Sequence, residues 1–253
     1  MVSSMMKIEK KMIQSTIHNA EELEQLVVRC GFLPFFRNSI SGFSIEECTS
    51  PGLWFEDGVD GPWEWKGPVI RNWTCTYGKF FCGKAGFVSM EWFPDFANYR
   101  RSKFSFDCSP LDKEGKNREK TVYDTVVGHE SLLSKEIKSL CGFRKPKTIC
   151  TNPMERLFTK TKGSIPEESF ETVLTRLQMA ALIVVADFEY QLDRHGHPYG
   201  WGIARYTTPE ALFGDGIALP EDRTPEESKT RILCHLCQIL PSATEERLLK
   251  FIG

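Results

Sequence analysis

A β-branched run, a polar glycine-centred loop and a returning aromatic stretch specify a β-hairpin late in this chain, and that hairpin constrains how everything before it is arranged. Ile183-Val184-Val185 opens a strand that continues to about Leu192. Asp193-Arg194-His195-Gly196-His197-Pro198-Tyr199-Gly200 is a loop of turn-forming residues, and residues 201–206 return as the partner strand. Three helical segments precede it. The first covers about residues 119–127. In the second, 131–141, Leu133, Ile137, Leu140 and Cys141 share a face, and Gly142 is a natural stop. The third opens at Ser164, with Glu167 in the capping-box position and Pro166 in the first turn. Its buried stripe is Phe170, Val173, Leu174, Leu177 and Ala181.

Three helices followed by a β-hairpin with a basic tip is the winged variant of the helix-turn-helix. The sequence ahead of it reads differently. Asn19, with Glu22 three residues on, opens a helix whose Leu23, Leu26, Val27 and Cys30 form one apolar stripe ended by Gly31. Phe32-Leu33-Pro34-Phe35-Phe36 then enters the core. Residues 43–101 hold five of the six tryptophans: Trp54, Trp63, Trp65, Trp73 and Trp92. Trp73, Cys75 and Tyr77 alternate with Asn72, Thr74 and Thr76, the period of a half-buried strand. Lys79 to Cys82, the turn Gly83-Lys84-Ala85-Gly86 and Phe87 to Met90 complete a small antiparallel meander, and Pro94 begins a short helix.

The expected fold is therefore α+β, with a C-terminal winged helix-turn-helix packed on an aromatic-rich N-terminal α+β region. The expected division is a ragged extension over 1–18, the aromatic region over 19–106 and a polar linker over 107–118. The winged-helix module follows over 119–213, and terminal helices over 214–253 begin at Thr224-Pro225-Glu226-Glu227 and Ser242-Ala243-Thr244-Glu245.

The net charge of −2 neither demands nor forbids a nucleic-acid partner, but its distribution is uneven. Lys135, Lys138, Arg144, Lys145, Lys147, Arg156, Lys160 and Lys162 face only Glu136 and Glu155, a surplus of about six positive charges. The hairpin adds Arg194, His195, His197 and Arg205. Phosphate contacts need such groups, so duplex DNA is the expected partner. On the third helix Glu167, Glu168 and Glu171 would repel phosphate, which leaves Thr172, Thr175, Arg176 and Gln178 as contacts. A protein-interaction or small-ligand module on the same scaffold is the alternative, with the lysines as a solvated surface.

Several runs together resemble the AlkZ-related proteins: Gly31-Phe32-Leu33-Pro34, Gly61-Pro62-Trp63-Glu64-Trp65, Tyr77-Gly78-Lys79-Phe80 and the stretch from Trp92 to Arg100. Leu174-Thr175-Arg176-Leu177-Gln178, Gly200-Trp201-Gly202 and Tyr206-Thr207-Thr208-Pro209-Glu210 belong to the same pattern. That group is similar to winged-helix alkylpurine DNA glycosylases, which excise alkylated bases. The resemblance implies a DNA-directed role, with a Gln-apolar-Gln or Gln-apolar-Asp triplet to position the attacking water. The one such triplet here, Gln191-Leu192-Asp193, lies at the entry to the hairpin turn, whereas the family's motif lies near the N-terminus. Asp193 is also good turn chemistry. Glu64, Glu91, Gln191 and Asp193 are the catalytic candidates if a base is removed.

The aromatic region offers a pocket of another kind. Trp63, Trp65, Tyr77, Lys79, Trp92, Tyr99 and Arg100 place charged groups beside large rings, suited either to stacking a planar ligand or to filling a core. His195 and His197, one residue apart with no third ligand near, read as turn residues, so no metal is expected. No cofactor is expected either, since Walker, dinucleotide, nucleophile-elbow and zincin motifs are missing. Nine cysteines scattered from Cys30 to Cys237 read as reduced thiols of a cytoplasmic protein. Cys234-His235-Leu236-Cys237 is the nearest approach to a ligand cluster. The first nineteen residues lack a signal peptide's apolar run, and no segment is long and apolar enough to span a membrane.

Overall fold

Asn19 starts the first helix as its side chain implies. In the computed structural model its Oδ1 accepts from the Glu22 N–H at 2.9 Å, and α1 runs Ala20–Cys30. Leu23, Leu26, Val27 and Cys30 are buried along one stripe. Gly31 ends the helix at φ 77°, and a Cβ there would lie 2.5 Å from a carbon of Trp92, so both the backbone and the packing require glycine. The structure describes residues 16–56, 58–109, 111, 115, 117–143, 168–196 and 198–253. Ser164, Pro166 and Glu167, with Arg144, Lys145, Lys147, Arg156, Lys160, Lys162 and His197, lie outside the described residues.

The expected meander is present and gains a strand. β1 (Phe32–Pro34), β2 (Cys75–Phe81) and β3 (Lys84–Ser89) form an antiparallel sheet in the order β1–β3–β2. Pro34 sits on the edge strand, where a missing N–H is tolerated. The start of β2 departs from the alternation read in the sequence. Trp73 is 58% exposed at φ 63°, in the left-handed turn that follows α3 (Pro62–Arg71), and pairing begins only at Cys75. β2 itself is buried on both faces rather than one. α2 (Ile45–Cys48) and α4 (Phe93–Ser102) complete this half, with Pro94 in the first turn of α4.

In the second half α5 (Arg118–Gly128) leads to β4 (Ser131–Leu133), α6 (Ser134–Leu140) and α7 (Phe170–Met179). β5 (Val184–Leu192) and β6 (Pro198–Thr207) form the hairpin, and β4 joins its β6 edge to give the order β4–β6–β5. The expected helix over 131–141 is thus two elements. Ser131, Leu132 and Leu133 pair with Thr207, Tyr206 and Arg205. The Leu133 N–H then donates to the Glu136 carboxylate at 2.8 Å, and the helix begins only beyond it. A free strand edge on β6 outweighs the local helical pattern.

α8 (Pro209–Phe213), α9 (Pro225–Ile239) and α10 (Glu245–Ile252) finish the chain. Thr224 and Glu227 form the capping box foreseen for α9, while α10 starts from Thr244 rather than Ser242. Buried side chains from both halves belong to one hydrophobic cluster: Phe32, Phe80, Val122, Leu177, Val184 and Leu236 are all members. Tyr77 and Phe188 meet edge-on at 5.8 Å and tie the two sheets together. Among the described residues no helix is long and apolar enough to cross a membrane.

Candidate nucleic-acid interface

Where β2 meets α6, α7 and β6, three lysines converge on an open cleft of about 330 Å3. Each wall has a local cause. Lys79 follows Gly78 on β2, where its N–H donates to Gln178 Oε1 at 3.1 Å and its ammonium reaches the Thr175 hydroxyl at 3.4 Å. A Cβ on Gly78 would come within 2.8 Å of the Phe80 ring, so the strand needs glycine to bring Lys79 to this position. Ser134, Lys135 and Lys138 come from the first turn and a half of α6, a helix held in register by the Glu136 cap. Phe170 and Leu174 supply the apolar floor from α7, and Tyr206 comes from β6.

Charge in the cleft is unevenly satisfied. Lys138 pairs with Glu171 at 3.1 Å, and backbone hydrogen bonding at the helix start, together with that lysine, holds the Glu171 carboxyl below its ordinary range. Lys135 makes no ion pair among the described residues, and Lys79 has only the hydroxyl of Thr175. Burial pushes the Tyr206 hydroxyl up to about 12, so at neutral pH it stays protonated and able to donate. Three ammonium groups against one carboxylate leave a cleft suited to an anion.

The other basic side chains flagged in the sequence are mostly engaged. Arg176 pairs with Glu119 and Glu168, and these contacts raise its pKa. Arg205 pairs with Glu189 across the hairpin and donates to the Ser131 carbonyl at 3.3 Å, so it fastens β4 to the hairpin. Arg194 at the tip is exposed, its Nε 2.9 Å from the His195 ring nitrogen, while the His195 N–H donates to Asp193 Oδ1 at 2.7 Å. Gln178, one of the expected contacts on the third helix, is 1% exposed; its amide bridges Lys79 and the Leu174 carbonyl. On α7 only Glu171 and Thr172 are exposed, because β2 and α5 pack against the rest.

The seven residues read as an aromatic pocket are not brought together. Trp65, Tyr77, Trp92, Tyr99 and Arg100 are buried in the core; Lys79 lines the cationic cleft, and Trp63 lines a separate cavity beside α3. Arg100 donates to the Phe80 carbonyl at 2.7 Å, and burial lowers its pKa to about 10. Trp92 lies between the guanidinium of Arg231, 4.1 Å from its ring centre, and the His235 ring, stacked at 4.1 Å.

The four candidate catalytic groups are spread equally widely. Glu64 accepts from the Gly61 N–H at 2.9 Å and caps α3; Glu91 lies 3.8 Å from Arg231. Asp193 shapes the hairpin turn, and Gln191 pairs with Tyr199 in the ladder. Sequence reading missed Ser134, Phe170, Leu174 and Tyr206 as neighbours of the flagged lysines. Glu136, three residues after the Leu133 N–H that its carboxylate caps, is the local signal that marks where α6 begins.

A protein-family model described as AlkZ related matches residues 17–253 of the chain. No curated protein and no solved structure matches it.

Proposed function

The chain belongs to the AlkZ-related family, and from that premise we propose that it binds duplex DNA through phosphate contacts at the Lys79–Lys135–Lys138 cleft. In this reading α5, β4, α6, α7 and the β5–β6 hairpin are a winged helix, with the hairpin as its wing and β4 as the short strand that completes its sheet. The carrying observation is the convergence of three lysines on one carboxylate beside that hairpin. From Tyr206 to the tip the hairpin reaches roughly 26–30 Å at about 3.3 Å per residue. A phosphate in the cleft and another under Arg194 and His195 would then lie less than one duplex turn apart. Arg144, Lys145, Lys147, Lys160 and Lys162 add positive charge on the connection between α6 and α7.

The mode of contact differs from groove reading by a third helix. Leu174, Leu177 and Gln178 of α7 are buried, and its exposed start carries Glu171, so affinity comes from the backbone and sequence preference is weak. Base removal is not assigned to Glu64, Glu91, Gln191 or Asp193: Glu64 caps α3, Asp193 shapes the hairpin turn, and Glu91 and Gln191 lie on other elements.

Fluorescence anisotropy of a labelled duplex tests the proposal. Binding that weakens by about tenfold or more between roughly 50 and 200 mM salt is expected from phosphate neutralisation. A flat response supports a second reading, an interaction or small-ligand module without DNA contact. That reading has its own support, because Arg176, Arg205 and Lys138 are already paired within the protein.

A further inference from the structure

Beside α3 lies a second cavity, of about 440 Å3, whose chemistry is opposite to that of the cleft. Its walls include Trp54, Phe55, Glu56, Asp60, Trp63 and Glu64. Trp54 and Trp63 meet edge-to-face at 5.7 Å and 89°. Both rings also pack on Phe35, at 5.4 and 5.1 Å, and the Trp54 indole N–H donates to Thr49 Oγ1 at 2.8 Å. The corner is therefore held by the core and by α2 as well as by the surface loop. At its rim Phe55 is 81% exposed, a large ring left in water.

Three carboxylates face this aromatic corner, and among the described residues no lysine or arginine lines it. Glu64 is held by the Gly61 N–H, while Glu56 and Asp60 make no ion pair among the described residues. An anion would be repelled here. A neutral apolar ligand would strip water from the carboxylates with nothing in return. A hard metal ion needs several converging oxygens, and among the described residues no three metal-ligating side chains gather. What satisfies both the rings and the carboxylates is a cation with an apolar surface. The Lys66 ammonium already lies 4.9 Å from the Trp63 ring centre, so Trp54 and Phe55 supply the remaining ring surface.

We propose that the Trp54–Trp63 corner, with Glu56, Asp60 and the Phe55 ring, is a binding site for an alkylated ammonium group of the trimethylammonium kind. The site is separate from the lysine cleft and does not depend on DNA binding.

Choline is the probe, titrated into the full chain at constant ionic strength with tryptophan fluorescence as the signal. The control is the neutral alcohol in which a tert-butyl group replaces the trimethylammonium. Saturable quenching by choline is expected, with the neutral isostere weaker by about tenfold. Glu56→Gln with Asp60→Asn should weaken choline binding by about tenfold, and Phe55→Ala by several-fold, with thermal melts unchanged because all three side chains are exposed. Equal binding of the isostere, no saturable quenching by choline, or full binding by the folded double variant would each overturn the proposal.

Discussion

Two charged clusters in this molecule are built in opposite ways. At Asp95, on α4, every charge is answered. The carboxylate is 2% exposed and takes both oxygens' worth of Arg223 at 2.8 Å, a second guanidinium from Arg231 and the Ser228 hydroxyl at 2.8 Å. Asn98 then bonds Ser228 and the Arg223 carbonyl, so α4 and α9 are locked together. At the cleft between β2 and α6 three lysines meet one carboxylate, and two of the three, Lys79 and Lys135, have no ionic partner among the described residues. A group whose charge is satisfied inside the protein holds the fold. Charge left over at an open surface is available to a ligand.

The contrast is broken most forcefully at Asp95. Asp95→Ala leaves two guanidinium groups partly buried without their carboxylate, and urea unfolding should show a loss of about 3–5 kcal/mol. A loss under about 1 kcal/mol would mean that the cluster does not lock the helices.

Lys66 extends the comparison to a buried cation that makes no ion pair among the described residues, although Glu64 lies near enough to favour its charge. Its ammonium sits 4.2 Å from the Phe188 ring centre and 4.9 Å from that of Trp63, and burial lowers its pKa from 10.5 to about 8. Below pH 8 the amine is protonated in both folded and unfolded chains, so the fold bears the full cost of burying the charge. As pH rises from 8 towards 10.5 the unfolded chain binds more protons, and the wild type gains stability. Lys66→Met should therefore be more stable than wild type by roughly 3 kcal/mol below pH 8, with the gap closing towards pH 10.5. A pH-independent gap in paired denaturant titrations would refute the burial account.

Smaller effects separate the paired from the unpaired basic residues. Arg176→Gln takes the guanidinium from Glu119, 3% exposed, leaving it the Ser109 hydroxyl, and should cost about 1–2 kcal/mol. Lys135→Gln should change stability by less than about 0.5 kcal/mol, since that exposed ammonium makes no ion pair among the described residues. Equal losses from the two, measured by thermal unfolding, would erase the distinction.

The sequence announces local features well and convergence poorly. Asn19, Thr224 and the apolar stripe of α1 read directly, because a cap and a helical period involve neighbours within one or two turns. Residues 131–133 misled because Leu133 fits a helical face equally well, and only the edge of β6, some seventy residues on, turns them into a strand. Trp73 misled because alternation says nothing about backbone sign, and here the chain passes through a left-handed turn after α3. The aromatic pocket dissolved for a related reason: Trp65, Tyr77 and Tyr99 carry polar tips, yet the core takes them whole. Of the cleft, Lys135 and Lys138 were visible in a charge run. Their meeting with Lys79 and Tyr206 is a property of the packed halves.

The most direct measurement is the salt dependence of duplex binding by Lys79→Gln combined with Lys135→Gln, set against the wild type. Removing two phosphate contacts should lower the slope of log affinity against log salt by about two, with the fold intact. A double variant that binds with the wild-type slope would place the contacts elsewhere and contradict the cleft as the DNA-binding surface.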